Sequence, residues 1–140
     1  MLSKFVYWTG ASDFLVGIVV IYGAFSSLAT EKSVHEQFVS LLVLGMFLMM
    51  AAACLMWASK DLLNRYPVVF WQGLVRLTAA GAILFSYSTG LSDKSLFFLI
   101  FFDGTIGAIY VIGSMKLTNL SFVNCLYCSE TSNASYARDS

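Results

Sequence analysis

Four stretches of about twenty predominantly apolar residues, separated by short polar breaks, constrain this chain more than any other feature. A bilayer's hydrocarbon core is roughly 30 Å thick and takes about 20 helical residues to cross. Residues 5–29, 38–59, 68–89 and 95–115 each meet that length. The rest is too short to form a domain of its own, so the sequence predicts an all-α membrane protein: a four-transmembrane-helix domain over residues 1–115 and a polar C-terminal tail over residues 116–140. Composition agrees, because 59% hydrophobic and 11% charged residues lie far from the balance of a water-soluble domain.

The breaks carry loop chemistry. Residues 30–37 include Glu31, Lys32, His35 and Glu36; residues 60–67 include Asp61, Asn64 and Arg65; residues 90–94 combine Gly90 with Asp93. Pro67, the single proline, is expected in the first turn of the third helix, where a missing N–H costs least. Connections this short place consecutive helices side by side and antiparallel, giving an up-down-up-down bundle. Lys4 and the following apolar run, with Ser27 and Ala29 around Leu28, imitate a secretory signal. The run is longer than a signal's hydrophobic region, so an uncleaved first span is expected.

Orientation follows from lysine and arginine, which resist translocation. One side collects Lys4, Lys60, Arg65, Lys116 and Arg138, the other only Lys32 and Lys94. Both termini are therefore expected on the cytoplasmic side or its equivalent in a matrix or stroma. Eight basic residues balance eight acidic ones, which gives no electrostatic footprint for nucleic acid. The expected partners are membrane lipids, which would also bind the chain, and other membrane subunits or further copies of it.

Three ionisable residues fall inside the spans: Asp13, Arg76 and Asp103. A charge at the centre of a spanning helix costs roughly 2.5–3.5 kcal/mol on the insertion scale, so each needs a partner or a purpose. At 1.5 Å per residue, Asp13 and Arg76 stand about 12 Å, and Asp103 about 18 Å, from the inner boundary. Comparable depth lets one guanidinium bridge two carboxylates and tie helices one, three and four together. Gln72 lies one turn before Arg76, Gly107 and Tyr110 follow Asp103 at one and two turns, and Gly10 and Gly17 flank Asp13. Small residues there permit close helix approach. Three readings follow: a structural polar clasp formed by Asp13, Arg76, Asp103, Gln72 and Tyr110, a proton or substrate site at the same residues, or an Arg76 that snorkels inward beside a hydrated Asp13.

Cys125 and Cys128 form a single C-x-x-C, a spacing used by dithiols and by half of a zinc site. A structural zinc needs four ligands, and the one histidine, His35, is expected across the membrane, so no metal site is expected. Ordinary thiols in a loose tail, reversible acylation near the membrane and redox work are the alternatives. Asn119 and Asn133 begin glycosylation triplets, which a tail on the inner side would not present to the transferase. Tyr7, Trp8, Trp57, Tyr66, Trp71, Tyr87 and Tyr110 fall mostly near helix ends, as an interfacial belt would have them. In the second span, Met46, Met49, Met50 and Met56 with Ala51, Ala52 and Ala53 provide an adaptable surface with a small-residue patch. No intramembrane histidine is available for haem or chlorophyll, so no cofactor held by this chain alone is expected. No phosphate loop or nucleophile–base pair is present either.

These features predict a small accessory or scaffolding subunit of a larger integral membrane complex rather than an enzyme. Its size, four-span layout and first-span carboxylate Asp13 resemble the small multidrug resistance family, which implies an oligomeric transporter or channel using Asp13 or, by extension, Asp103. The family's first- and third-helix motifs are absent, and Arg76 and Asp103 have no place in its pattern. The layout is also similar to that of DoxX-like proteins, some of them associated with oxidase complexes, which implies a respiratory or otherwise redox-linked neighbour. A membrane enzyme acting on a lipid or quinone at the clasp is the third reading.

Overall fold

The computed structural model describes residues 1–30, 35–90 and 97–128. Glu31, Lys32, Asp93, Lys94, Asn133 and Arg138 lie outside the described residues. Among the described residues there are five helices and no strand: α1 (Leu2–Thr30), α2 (His35–Ala58), α3 (Leu62–Ser88), α4 (Phe97–Thr118) and α5 (Phe122–Leu126). Helices α1 to α4 are each long and apolar enough to cross a membrane. In such an environment a helix satisfies its backbone N–H and C=O groups internally, which is why uninterrupted apolar runs of this length adopt it. The contacts divide the chain into two compact units, Met1–Asp61 and Leu62–Ser140.

The first unit is an antiparallel hairpin of α1 and α2. Gly10 faces Ala52, Leu55 and Met56, while one to two turns on Gly17 faces Gly45 and Met49, so the helices run in opposite directions. The approach is close because these positions have no side chain. A Cβ on Gly17 would stand 2.9 Å from the Gly45 carbonyl oxygen, and one on Gly10 3.1 Å from that of Ala52. The small patch of α2 is used here: Ala52 and Leu55 are fully buried, whereas Met46 and Met50 stay exposed. Phe25 meets Phe38 edge-on at 5.3 Å near the loop end, and at the open end the Ser3 hydroxyl donates to the Ser59 carbonyl at 2.6 Å.

The second unit repeats the hairpin with α3 and α4 and adds α5. Gly73 packs against Gly107, Tyr110 and Val111, and Gly104 lies opposite Ala80. The start of α3 has two parts. The helix begins at Leu62, one turn ahead of the region around Pro67, and breaks at Arg65 (φ −114°, ψ 15°) before resuming. Pro67 therefore lies in the first turn of the segment that resumes after the kink, the place expected for it, and a short turn from Leu62 precedes that segment. Pro67 has no N–H to give the carbonyl four residues back, and its ring crowds that carbonyl.

The boundary expected at residue 115 falls inside α4, which continues to Thr118. Asn119 (φ 54°) ends it in the left-handed conformation that commonly follows a helix. Ser121 then caps α5, its hydroxyl accepting from the Asn124 N–H at 3.4 Å. This short helix folds back on α3: Tyr66, Phe70, Val111 and Cys125 form a buried cluster, with Leu74, Met115, Leu120 and Leu126 packed around it. The first part of the expected tail thus belongs to the core of the second unit.

Candidate functional site: an ion pair at a glycine crossing

Arg76 and Asp103 come together in the second unit. The Gly73–Gly107 contact brings the α3 and α4 backbones close: a Cβ on either glycine would stand 2.9 Å from the other's carbonyl oxygen. Arg76 lies one turn beyond Gly73, and Asp103 one turn before Gly107, so the antiparallel crossing aligns them. The Arg76 Nη1–H donates to Asp103 Oδ1 in a direct salt bridge. Arg76 is 8% exposed, and the Asp103 side chain 22%. With little water available, mutual neutralisation is the principal compensation for desolvating either group.

Tyr110 and Gln72 belong to the same unit. Tyr110 is fully buried, and its Cβ would stand 2.9 Å from a Cβ on Gly73, which makes it a wall of the crossing. Gln72 is half-buried on α3. Asp13 lies in the first unit, half-buried on the stripe it shares with Gly10 and Gly17. Gly10 and Gly17 face α2. The second unit thus contributes an Arg76–Asp103 ion pair set between glycines.

Gly73 was not legible in the sequence, where its one signal was a glycine inside an apolar helix three residues before an arginine. The buried hydroxyls were not legible either. Thr9 turns its hydroxyl back to the carbonyls of Phe5 (2.9 Å) and Val6 (3.1 Å), and Thr118 does so to Ser114 (2.9 Å). Such back-bonding hides a hydroxyl within its own helix and leaves no mark in a hydropathy pattern.

The two tail thiols are dissimilar. Cys125 is fully buried, with Sγ 3.8 Å from Thr118 Oγ1, whereas Cys128 is exposed; both are free. The picture of two thiols in a loose tail therefore fails for Cys125, because α5 carries it into the cluster around Tyr66. Among the described residues, no three His, Cys, Asp or Glu side chains converge as metal ligands.

An open apolar groove of about 520 Å³ runs along the first hairpin, lined by Ile18, Ile21, Tyr22, Phe25 and Met49. A second, of about 490 Å³, lies on α2 between Val39, Ser40, Val43, Leu44 and Phe47. Binding sites for small polar molecules carry several converging polar groups, which these surfaces lack. Compared with models of known protein families, with curated proteins and with solved structures, the chain matches none.

Proposed function

We propose that this chain is a small accessory or scaffolding subunit of a larger integral membrane complex, held in the bilayer by four spans that alternate in direction. The observation that carries this reading is the distribution of apolar and charged groups. Tyr22, Val43, Phe47, Phe85, Phe98 and Phe101 are all at least half exposed, while Arg76 and Asp103 neutralise each other inside their hairpin. A protein built this way offers lipid or other helices broad apolar faces and spends its intramembrane charge on helix registry. Both termini lie on the cytoplasmic or matrix side, in line with the bias of Lys4, Lys60, Arg65 and Lys116. The open grooves suit acyl chains of bound lipid. No catalytic step is assigned to any residue, and the redox-linked neighbour remains part of this proposal rather than a separate one.

A transport reading draws on a different observation, the half-buried carboxylate of Asp13 on the glycine stripe of α1. It requires water to reach Asp13 and activity to vanish when that residue is neutralised. A subunit that acts by packing tolerates Asp13→Asn as long as it folds.

Photo-cross-linking in the native membrane tests the scaffold reading. A photoreactive residue placed in turn at Tyr22, Phe47, Phe85 and Phe101 should yield discrete, reproducible adducts with the same few membrane proteins at one or more positions. Adducts with lipid alone at every position would overturn it.

A further inference from the structure

The turn that ends α5 places a protected thiol beside an accessible one. Cys125 is fully buried with Tyr66, Phe70 and Val111, under the edge-on contact of Phe122 with Phe70 at 5.4 Å. Cys128 is exposed and left-handed (φ 53°), and its N–H donates to the Cys125 carbonyl at 3.2 Å. This bond is one half of a Schellman-type helix ending, in which the left-handed residue bonds back to the final turn. A four-residue turn keeps its first and last Cα within about 7 Å, a separation that overlaps the roughly 4.4–6.8 Å spanned by a disulfide.

We propose that Cys125 and Cys128 are a reversible dithiol–disulfide couple that exchanges with a small-molecule disulfide, Cys128 being the entry thiol and Cys125 the resolving thiol. The Cys128 thiolate attacks one sulfur of the disulfide RSSR, forming a mixed disulfide and expelling RS⁻. The Cys125 thiolate then attacks Cys128 Sγ and expels the second RS⁻. Two protons and two electrons leave the protein, and the small disulfide is reduced to two thiols. The order follows from access, since only Cys128 meets an incoming reagent. Closing the bond draws the Cys125 sulfur towards Cys128 and away from the cluster it fills, so oxidation loosens α5 from α3 and reduction restores the contact. The proposal stands independently of any role in a larger complex.

The test uses the full chain in mild detergent with Cys54→Ser, so that only these two thiols remain. Samples equilibrated with graded ratios of oxidised to reduced glutathione are acid-quenched, alkylated and weighed intact. As the ratio rises, the doubly alkylated form should give way to a monomer carrying neither alkyl group nor glutathione, and dithiothreitol should reverse the change. Cys125→Ser should stop at the Cys128–glutathione adduct. Amide exchange over residues 119–128 should be faster in the oxidised form. Peptide mapping of the unsubstituted chain gives the same readout if Cys54→Ser disturbs folding. Two thiols that alkylate at every ratio, a parent chain that stops at the mixed disulfide, or chains cross-linked through Cys128 would each overturn the proposal.

Discussion

Removing either partner of the Arg76–Asp103 pair leaves the other ionised in apolar surroundings. Arg76→Ala should therefore destabilise the protein by about 3 kcal/mol, the lower end of the range for broken buried pairs because Asp103 keeps some exposure. Arg76→Met combined with Asp103→Leu should be close to neutral, since it removes both charges and roughly preserves volume. A double-mutant cycle of unfolding in mixed micelles measures both. A double variant as unstable as the sum of the singles would show that the two side chains act independently and that the pair is not what α3 and α4 share. The same logic separates the buried thiol from the exposed one: Cys125 contributes packing that Cys128 does not, because only Cys125 sits in the cluster with Tyr66 and Phe70.

Each hairpin depends on glycines at the contact. Gly73→Ala or Gly107→Ala would set a Cβ 2.9 Å from a carbonyl oxygen on the facing helix, and the backbones must separate to admit it. The expected cost is about 1–3 kcal/mol, typical of overpacking. At Gly81 nothing lies within 4 Å of an added Cβ, so Gly81→Ala should be neutral or stabilise by up to about 1 kcal/mol through helix propensity. Melting temperatures of the three variants in one detergent compare these directly; a Gly81 variant as damaged as the other two would contradict the contact geometry. The four long helices were legible in the sequence because length and apolarity alone decide them, and Arg76 and Asp103 stood out because charge is rare in such runs. Their meeting was expected from depth. The glycine crossing that aligns them was not, since Gly73 acquires meaning only once Gly107 faces it. Helix α5 was hidden for a related reason: one turn of helix has no periodicity to read, and its stability comes from Phe70 and Tyr66, more than fifty residues away in sequence. Pro67 was legible as a first-turn residue because proline favours that place; the extra turn from Leu62, ahead of the break at Arg65, was not.

For the molecule as a whole, both units are built on one plan, a hairpin closed by small residues with apolar side chains turned outward. In the most apolar windows only 17% of residues are buried in α1 and α2 and 28% in α3 and α4, so broad apolar faces stay uncovered within the chain. Lipid can cover such faces, and so can the helices of other proteins; the proposed subunit role requires the second. Because Arg76 and Asp103 pair within the α3–α4 hairpin, the proposed association would draw mainly on side-chain packing and small-residue contacts. The most direct measurement is the native mass of the protein extracted from its own membrane in a gentle detergent, with every co-purifying chain identified. If the chain is a subunit of a larger complex, it should be recovered in a discrete assembly in which one fixed number of copies accompanies a constant set of larger membrane subunits. Recovery as a lone monomer or a homo-oligomer would contradict that role and would direct attention to proton and cation flux through Asp13.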